Sequence, residues 1–286
     1  MSSDGVVLVD KPAGSTSHDA VARMRRARGR GVKVGHAGTL DPFATGLLLL
    51  LVGRATRVQR YLMALPKTYL VTARFGAVSS TGDPEGEIVE TGVVPDGPLP
   101  LPLPVGLVRQ RPPAYSAVKV GGRRAYALAR AGEPVELAER EVQVHRFQQL
   151  WQLEDRRAFV IDCSSGTYVR SLISALGDAY CETLRRTRIG DFDVADADPE
   201  RIIPLMEALA FLPEVRLSGE DARRAAHGVA VPGEAGVGGV GGVGGVGGVG
   251  GVGAGTVRLT DEQGLIALAD PAEDGAMLKP VVGFRG

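Results

Sequence analysis

The sequence predicts an α+β fold built around a mixed β-sheet, and two observations support this. Segments with strand and helix periodicity follow one another without a regular β-α alternation. Hydrophobic residues make up 44% of the 286 residues, which is enough to bury a large core. The formal net charge is zero, which excludes a chain that is basic overall but still allows local basic patches.

The first quarter of the chain mixes strand and helix signals. Hydroxyl side chains at 15–17 are good N-caps for a helix, and proline and glycine residues separate that helix from the preceding apolar run. The predicted elements are, in order, a strand at Val6–Val9, a helix that ends at Arg28, a strand at Gly46–Val52, a helix from about Arg54 to Leu65 and a strand from Tyr69 to Phe75.

The middle of the chain predicts a loop, two long strands and a helix. Residues 79–87 (SSTGDPEGE) have loop chemistry, and residues 91–104 are rich in proline and lack a helical period. The predicted elements that follow are strands at Val142–Leu153 and Ala158–Cys163 and a helix at Gly166–Tyr180, with Leu172, Leu176 and Ala179 on one face.

The sequence predicts two domains, a large α+β domain at 1–212 and a smaller C-terminal unit at 213–286. The smaller unit predicts a short helix at 218–228, a hairpin around Glu262–Gly264 and a closing strand in LKPVVGFR. A glycine-valine repeat of period three occupies 236–255 and predicts a disordered insert. Its G-x-G-x-x-G match follows no strand and opens no helix, so it does not indicate a nucleotide site.

Composition also limits the class of protein. Cys163 and Cys181 form no C-x-x-C pair, and no histidine lies at ligand spacing, so neither a metal site nor a disulfide framework is predicted. The N-terminus does not resemble a signal peptide. The longest apolar run, Leu47–Val52, is far too short to cross a membrane. A reduced, soluble, cytoplasmic protein without membrane association is expected.

Positive charge is concentrated in three runs. Six basic and no acidic residues lie between Val21 and Leu40, six more and again no acid lie between Arg109 and Ala131, and a third cluster occupies 185–188. A solvated helix face explains any one run, but three runs in a neutral chain favour a phosphate-backbone partner. Tyr115 and Tyr126 interleave with the second run, which is weak support for RNA.

One carboxylate stands out in the stretch GHAGTLDPFATG at 35–46. Asp41 precedes a proline, and Asp-Pro is an ordinary turn signal, so a purely structural role is one interpretation. A catalytic role is the other, because the flanking glycines allow the backbone to approach a ligand closely and the loop adjoins an apolar strand.

These residues carry a resemblance to a known family. The stretch GHAGTLDPFATGLL is similar to the central motif of the TruB-type tRNA pseudouridine synthases, and further blocks resemble the family's motifs in family order. They are LVDKPAGSTSHD, KTYLVTARFGAVSSTGDPEGE, PPAYSAVKVGGRRAYALARAGE, SSGTYVRSLISALGDA and LRRTRIGDF. The resemblance implies a pseudouridine synthase catalytic domain over the first 212 residues and, more weakly, a PUA-like RNA-binding β domain in the tail.

The resemblance also implies a reaction. Family members convert uridine 55 in the T-loop of tRNA to pseudouridine, so the T-stem-loop of tRNA is the expected partner, and no cofactor or metal is needed. No protein partner is implied, and a monomer is expected. Asp41 would act either as a nucleophile or as a base that takes a proton from the sugar, and the sequence leaves both routes open.

Other site residues follow from the same motifs. An ionised acid in an apolar pocket needs an opposite charge nearby, and the family's G-T-Y-[IV]-R motif supplies it here as Arg170. The flipped base needs an aromatic platform, which Tyr69 matches. The remaining implied contacts are Tyr168 in the pocket at an irregular helix start, His36 on the RNA, Leu184 as an apolar lid residue and Lys11 as a buttress of the site. Considered without the resemblance, Arg170, Tyr69 and His36 favour a structural role, and a plain core role for Leu184 is nearly as well supported as a lid role.

The chain departs from the family pattern in two places. Thr91–Val105 is short where the family has a helix, and the segment before Leu184 lacks a glycine-rich turn. These departures motivate one alternative, a catalytically impaired tRNA-binding or tRNA-folding protein on the same scaffold.

Overall fold

A computed structural model describes residues 4–97, 103–113, 119–125, 128, 131, 133, 137–233, 255–273 and 276–285. Three expectations fall outside these ranges: Tyr115, Tyr126 and all but the last residue of the glycine-valine insert. None of the helices in the described part of the chain is long and apolar enough to cross a membrane.

The described residues form nineteen strands and five α-helices. The strands are β1 Gly5–Lys11, β2 Val34–His36, β3 Thr45–Val52, β4 Lys67–Phe75, β5 Ala77–Ser79, β6 Ile88–Glu90, β7 Gly106–Gln110, β8 Lys119–Val120, β9 Arg123–Arg124, β10 Arg140–Leu153, β11 Arg156–Cys163, β12 Ala179–Ile189, β13 Phe192–Asp193, β14 Asp198–Pro204, β15 Glu214–Arg216, β16 Val231–Pro232, β17 Val257–Asp261, β18 Gly264–Pro271 and β19 Met277–Gly283. The helices are α1 Ser17–Arg28, α2 Gln59–Ala64, α3 Val169–Ser174, α4 Leu205–Ala208 and α5 Gly219–Ala226, with 3₁₀ turns at Gly53–Val58 and Val194–Asp196.

A ten-stranded mixed sheet dominates the molecule, which confirms the predicted fold class. Its order is β14-β1-β3-β12-β4-β11-β10-β7, with β2 paired to β3 and β13 to β12. Every pairing in it is antiparallel except a short parallel contact between β12 and β3, where Arg185 lies opposite Thr45 and Arg186 opposite Gly46. That parallel contact lies where the loop carrying Asp41 enters the sheet.

β3 is buried on both faces, as its unbroken run of leucines predicts. Leu48 and Leu50 pack on the side of α1, whereas Leu47, Leu49 and Leu51 face a second cluster that includes α2. All five leucines are at most 1% exposed. The sheet is therefore rigid at the strand that immediately follows the Asp41 loop.

α1 begins at the predicted position. The Thr16 hydroxyl accepts a hydrogen bond from the Asp19 amide, and the Asp19 side chain accepts from the Thr16 amide, so a capping box fixes the start of the helix. Ala20, Val21 and Met24 form the face that packs on the sheet. The helix ends at Gly29, a position with φ of 86°.

The long helix predicted at Gly166–Tyr180 is wrong beyond its first turns. The α-helix spans only Val169–Ser174, and Ala179, expected on its apolar face, is the first residue of β12. β12 lies between β3 and β4 near the middle of the sheet, yet its sequence, AYCETLRRTRI, shows no strand alternation. Polar side chains on β12 are satisfied by tertiary hydrogen bonds, which hydrophobic periodicity does not register.

The predicted helix from Arg54 to Leu65 begins as a 3₁₀ turn and becomes α-helical only at Gln59. The predicted strands at 142–153 and 158–163, the C-terminal hairpin and the helix at 218–228 are confirmed within one or two residues at most ends. Strands β15 to β19 form a separate five-stranded sheet. Leu268 and Phe284 of that part of the chain join the core cluster that contains β3 and α2.

Candidate active site

A cavity of about 540 Å³ opens where the Asp41 loop, β4, α3 and β12 meet. Its lining includes most of the residues that the sequence predicted for the site. The predicted members are Asp41, Tyr69, Tyr168, Arg170 and Leu184, and the further ones are Gly38–Leu40, Arg60, Met63, Ala64, Lys67, Ser164–Thr167, Val169 and Arg186.

Asp41 and Arg170 form an ion pair in this cavity. Arg170 Nε lies 3.0 Å from Asp41 Oδ2, and the side chains are 4% and 33% exposed, respectively. The acid is therefore reachable from the cavity, whereas its arginine partner is enclosed. This combination suits a carboxylate that contacts a ligand on its cavity side while the ion pair with the buried Arg170 fixes its position.

A second carboxylate, Asp83, shares the same arginine, and the sequence analysis missed it. Arg170 Nη1 donates to Asp83 Oδ2 at 2.9 Å and to the Thr81 carbonyl at 2.8 Å. Asp83 also accepts from the Thr81 hydroxyl and the Glu85 amide. The stretch at 79–87 has loop chemistry and belongs to a block that resembles the family, and its Gly-Asp-Pro, similar to the Leu-Asp-Pro around Asp41, is the signal that could indicate a second anchored acid.

Burial dominates the electrostatics of Asp41. Removal from water raises the pKa of the Asp41 carboxyl above its ordinary value, Arg170 opposes this rise, and the neighbouring negative charge of Asp83 adds to it. Lys11 and Arg186 oppose the rise more weakly. The net direction is upward, so Asp41 is a better base than an exposed aspartate.

Arg186 holds the backbone on both sides of Asp41 and was also missed as a site residue. Its side chain donates to the carbonyls of Leu47 at 2.8 Å, Gly38 at 3.1 Å and Thr39 at 3.4 Å, and the residue is 1% exposed. Because the guanidinium presents several donors in a fixed plane, one side chain can fix both the loop before Asp41 and the strand after it.

Gly46 makes this close approach possible. Its φ is 105°, and a Cβ at that position would lie 2.2 Å from the Arg186 carbonyl oxygen. Only glycine fits without displacing the backbone of β12. The glycine in the motif thus has a packing reason in addition to any contact with a ligand.

Lys11 and Ser17 support the Asp41 loop from the side of β1 and α1. Lys11 is fully buried, and its ammonium donates to the carbonyls of Ser15 at 2.7 Å and Pro42 at 3.3 Å. Burial lowers the pKa of Lys11, and the charge of Asp41 opposes that change. Ser17 Oγ accepts from the Leu40 amide at 2.9 Å. Lys11 therefore lies behind the loop and does not line the cavity.

Two tyrosines border the cavity. Tyr69 is 9% exposed, burial raises the pKa of its hydroxyl, and the charge of Arg186 opposes that rise. Tyr168 is the N-cap of α3 in an extended conformation, with φ −98° and ψ 105°. Because Tyr168 is not yet helical, it and Arg170 reach the same cavity although they are two residues apart. The guanidinium of Arg140 lies 4.6 Å from the centre of the Tyr168 ring.

Leu184 and Lys67 also line the cavity. Leu184 is 6% exposed, belongs to the core cluster around Tyr69 and lines the cavity, so core and cavity roles coincide in this side chain. The Lys67 ammonium donates to the carbonyls of Met63 and Leu65 at the end of α2. Burial lowers the pKa of Lys67 to about 7.

His36 is not among the residues that line the cavity. It ends β2, its carbonyl accepts from Gln59 Nε2 at 2.7 Å, and its ring lies edge-on to His18, with 5.6 Å between ring centres. Gly38, two residues further on, already lines the cavity, so His36 lies at the approach to it.

Within the described ranges, no three His, Cys, Asp or Glu side chains come together in a way that could hold a metal ion. That the reaction needs no metal or cofactor stays a prediction from the resemblance.

Solved structures share the fold. A chain from the "Structure of H/ACA RNP bound to a substrate RNA containing 2'-deoxyuridine" superposes with a TM-score of 0.66 at 22% identity, over 99% of this chain and 85% of that chain. A chain from a "Cbf5-Nop10-Gar1 Complex" gives 0.66 at 24% identity, over 97% and 83%. The shared architecture is a large mixed sheet followed by a small β-sheet unit.

Sequence comparisons identify the family. The profile of the TruB family pseudouridylate synthase (N terminal domain) matches residues 25–169. The protein named tRNA pseudouridine synthase B from Thermobifida fusca is 46% identical over 254 residues, 79% of this chain and 85% of that protein. Its namesakes from Arthrobacter sp. and Mycobacterium tuberculosis are 41% and 42% identical, over 82% and 80% of this chain and 84% of each relative. The chain belongs to the TruB family of pseudouridylate synthases.

Proposed function

We propose that this enzyme isomerises uridine 55 in the T-loop of tRNA to pseudouridine and that Asp41 is its catalytic residue. The observation that carries the proposal is the ion pair between Asp41 and the buried Arg170 inside a cavity bordered by Tyr69 and Tyr168. The relatives' printed name, tRNA pseudouridine synthase B, supports tRNA as the substrate.

The reaction requires one well-placed carboxylate. The bond from N1 of the base to C1′ of the ribose breaks, the base turns, and C5 bonds to C1′. C5 then loses its proton and N1 takes one up, so the product is an isomer of the substrate with no net oxidation or reduction. The base must leave its stack to enter the cavity, and Tyr69 offers a ring on which it can stack.

Two routes fit the geometry, and both begin with ionised Asp41. In one, the carboxylate attacks C1′ as a nucleophile and is later displaced by C5. In the other, it takes a proton from C2′ of the sugar as the base leaves, and it returns that proton to C2′ when C5 of the base bonds to C1′ of the unsaturated sugar. In either route Arg170 and Asp83 keep the carboxylate aimed at the ribose.

The remaining residues have supporting roles in the proposal. Lys11 and Arg186 position the Asp41 loop, Leu184 closes one side of the cavity, and His36 contacts RNA at its approach. The C-terminal sheet, residues 213–286, is proposed as a PUA-like RNA-binding domain. A monomer is proposed, and tRNA as substrate supports a cytoplasmic location.

The test is a single substitution at the reacting group. Asp41→Asn keeps the shape of the side chain but removes the charge, so a tRNA transcript should bind as before in a gel shift while pseudouridine formation, mapped by primer stops, disappears. The matched control is Asp162→Asn, which changes an aspartate whose ion pair with Arg146 is half exposed. Substantial turnover by Asp41→Asn would refute the assignment. A wild-type protein that binds tRNA without modifying it would favour the impaired alternative.

A further inference from the structure

We propose that an exposed surface of α1 and its following loop binds the phosphate backbone of the tRNA, outside the cavity. This surface consists of Arg23, Arg26, Arg30 and Lys33, all of which are exposed, and it is called the α1 cationic surface below. The proposal rests on the proposed tRNA substrate and assigns where the rest of that molecule lies.

The first observation is how these cations are partnered. Several exposed arginines elsewhere are paired with acids, for example Arg146 with Asp162 at 2.8 Å and Arg201 with Glu207 at 3.5 Å. Within the part of the chain that the structure describes, no carboxylate lies within 4.0 Å of any cation of the α1 cationic surface. These cations are therefore available to a negatively charged partner.

The second observation separates this surface from its neighbours on the same helix. Arg25 donates to the Val34 carbonyl at 2.8 Å, and Arg28 donates to the Pro199 carbonyl at 3.3 Å, so these two side chains are directed toward the protein. Arg23 and Arg26, three residues apart, lie next to each other on the solvent side of α1.

One acid does lie on this side of α1, at its first turn. Asp19 is occupied there, because its carboxylate accepts from the Thr16 amide at 2.8 Å and the Thr16 hydroxyl at 2.7 Å. The acid is therefore held against the end of the helix and leaves the cations further along the helix available.

The third observation is continuity with the cavity. The first residue of α1, Ser17, is hydrogen-bonded to Leu40 next to Asp41, and the ring of His18 touches that of His36. At 1.5 Å per residue, Arg23 and Arg26 lie about 9 Å and about 14 Å along the helix from that point. The charge of Arg23 even contributes to lowering the pKa of Lys11, behind the Asp41 loop. The surface thus leads directly away from the place where the target nucleotide reacts.

The chemistry of RNA makes phosphates the expected contact. The major groove of an A-form helix is too deep and narrow for side chains to read. Guanidinium groups on a convex helix surface therefore meet the sugar-phosphate backbone, which they bind without regard to sequence. Duplex RNA that continues from the T-loop presents such a backbone.

The test compares two triple variants for binding to a full-length tRNA transcript at several salt concentrations. Arg23→Gln/Arg26→Gln/Arg30→Gln removes three of the four cations of the surface, and the matched control Arg146→Gln/Arg156→Gln/Arg201→Gln removes the same charge from ion-paired positions outside the proposed RNA-binding domain. The α1 variant should weaken binding about tenfold or more and reduce the slope of log affinity against log salt by about two to three, and the control should change neither appreciably.

Two further measurements decide the assignment. KM for tRNA should rise in the α1 variant while kcat changes less than about twofold, and two transcripts that differ in T-stem sequence should lose affinity equally. An α1 variant that binds like the control, or a loss that depends on stem sequence, would overturn the proposal. Failure of the proposed function is distinct from this outcome, because the wild-type protein would then form no pseudouridine at all.

Discussion

Replacement of Asp83 by asparagine tests whether the second carboxylate matters for the site. Asp83 and Arg170 are 5% and 4% exposed in their side chains and lie 2.9 Å apart. Breaking a buried pair costs about 3–5 kcal/mol because the remaining charge loses its partner. Arg170 keeps Asp41, and an asparagine oxygen can still accept from the Glu85 amide, so the expected loss lies near the lower end, about 3 kcal/mol.

That free energy is measurable in two assays. In thermal unfolding, about 3 kcal/mol corresponds to a decrease of about 6–12 °C in Tm for a domain of this size. In single-turnover assays well below Tm, the rate of pseudouridine formation should fall about 10- to 100-fold, since Arg170 has lost one of the two carboxylates that fix its orientation. The acid limb of the pH profile should also move to lower pH, because the charge of Asp83 raises the pKa of Asp41.

Asp162→Asn is the control for Asp83→Asn. The same substitution there removes an ion pair between side chains that are 29% and 49% exposed, and such a pair is worth about 0–1 kcal/mol. If Asp83→Asn costs no more stability than Asp162→Asn and leaves turnover unchanged, the shared arginine does not organise the site and the reasoning above is refuted.

Three further predictions follow from single positions. Because burial raises the pKa of Asp41 above 3.8 and its ionised form reacts, kcat/KM should decline as pH falls through that raised value, and a decline only at or below 3.8 would contradict this. Gly46→Ala should lower the free energy of unfolding measured in urea by about 3 kcal/mol or more, because the added Cβ would collide with the Arg186 carbonyl. Gly29→Ala, which is also at positive φ but has open space around it, should lower it by only about 1–2 kcal/mol. Burial lowers the pKa of Lys67 to about 7, so above pH 7 this side chain binds fewer protons in the folded protein than in the unfolded one. Between pH 7 and 9 the free energy of unfolding of the wild type should therefore rise relative to that of Lys67→Met by up to about 1.4 kcal/mol per pH unit. Equal dependence of the two unfolding free energies on pH would disprove the shift.

Local sequence patterns correctly predict elements that are stabilised by local interactions, such as a helix cap, or that consist of an unbroken run of apolar residues. The hydroxyl run before α1 predicts the observed cap at Thr16, and the leucine run predicts β3. The helix expected over Gly166–Tyr180 shows where such patterns fail. Its first part forms α3, but from Ala179 onward the chain is a strand, because pairing with β4 on one side and β3 on the other outweighs intrinsic preference.

Only some residues of the candidate site could likewise be predicted from the sequence. The motif around Asp41 and the G-T-Y-V-R segment identify two members of the ion pair by resemblance. Asp83 and Arg186 also lie in blocks that resemble the family, but apart from the Asp-Pro step at Asp83 no local pattern marks them as site residues, since one lies in a loop and the other in a run of arginines that is equally typical of an RNA-binding surface. The structure directs Arg186 into the protein, with its side chain on three carbonyls.

By itself, the sequence determined that a single acid stands in a glycine-rich loop before a buried strand, and which family that loop resembles. Only the tertiary structure decided which charges meet that acid. Asp41, Asp83 and Arg170 are far apart along the chain and converge because the loop before β3, the loop between β5 and β6 and the start of α3 lie next to one another. Ion pairs between such distant positions form only when the elements pack together. No characteristic spacing along the sequence predicts them.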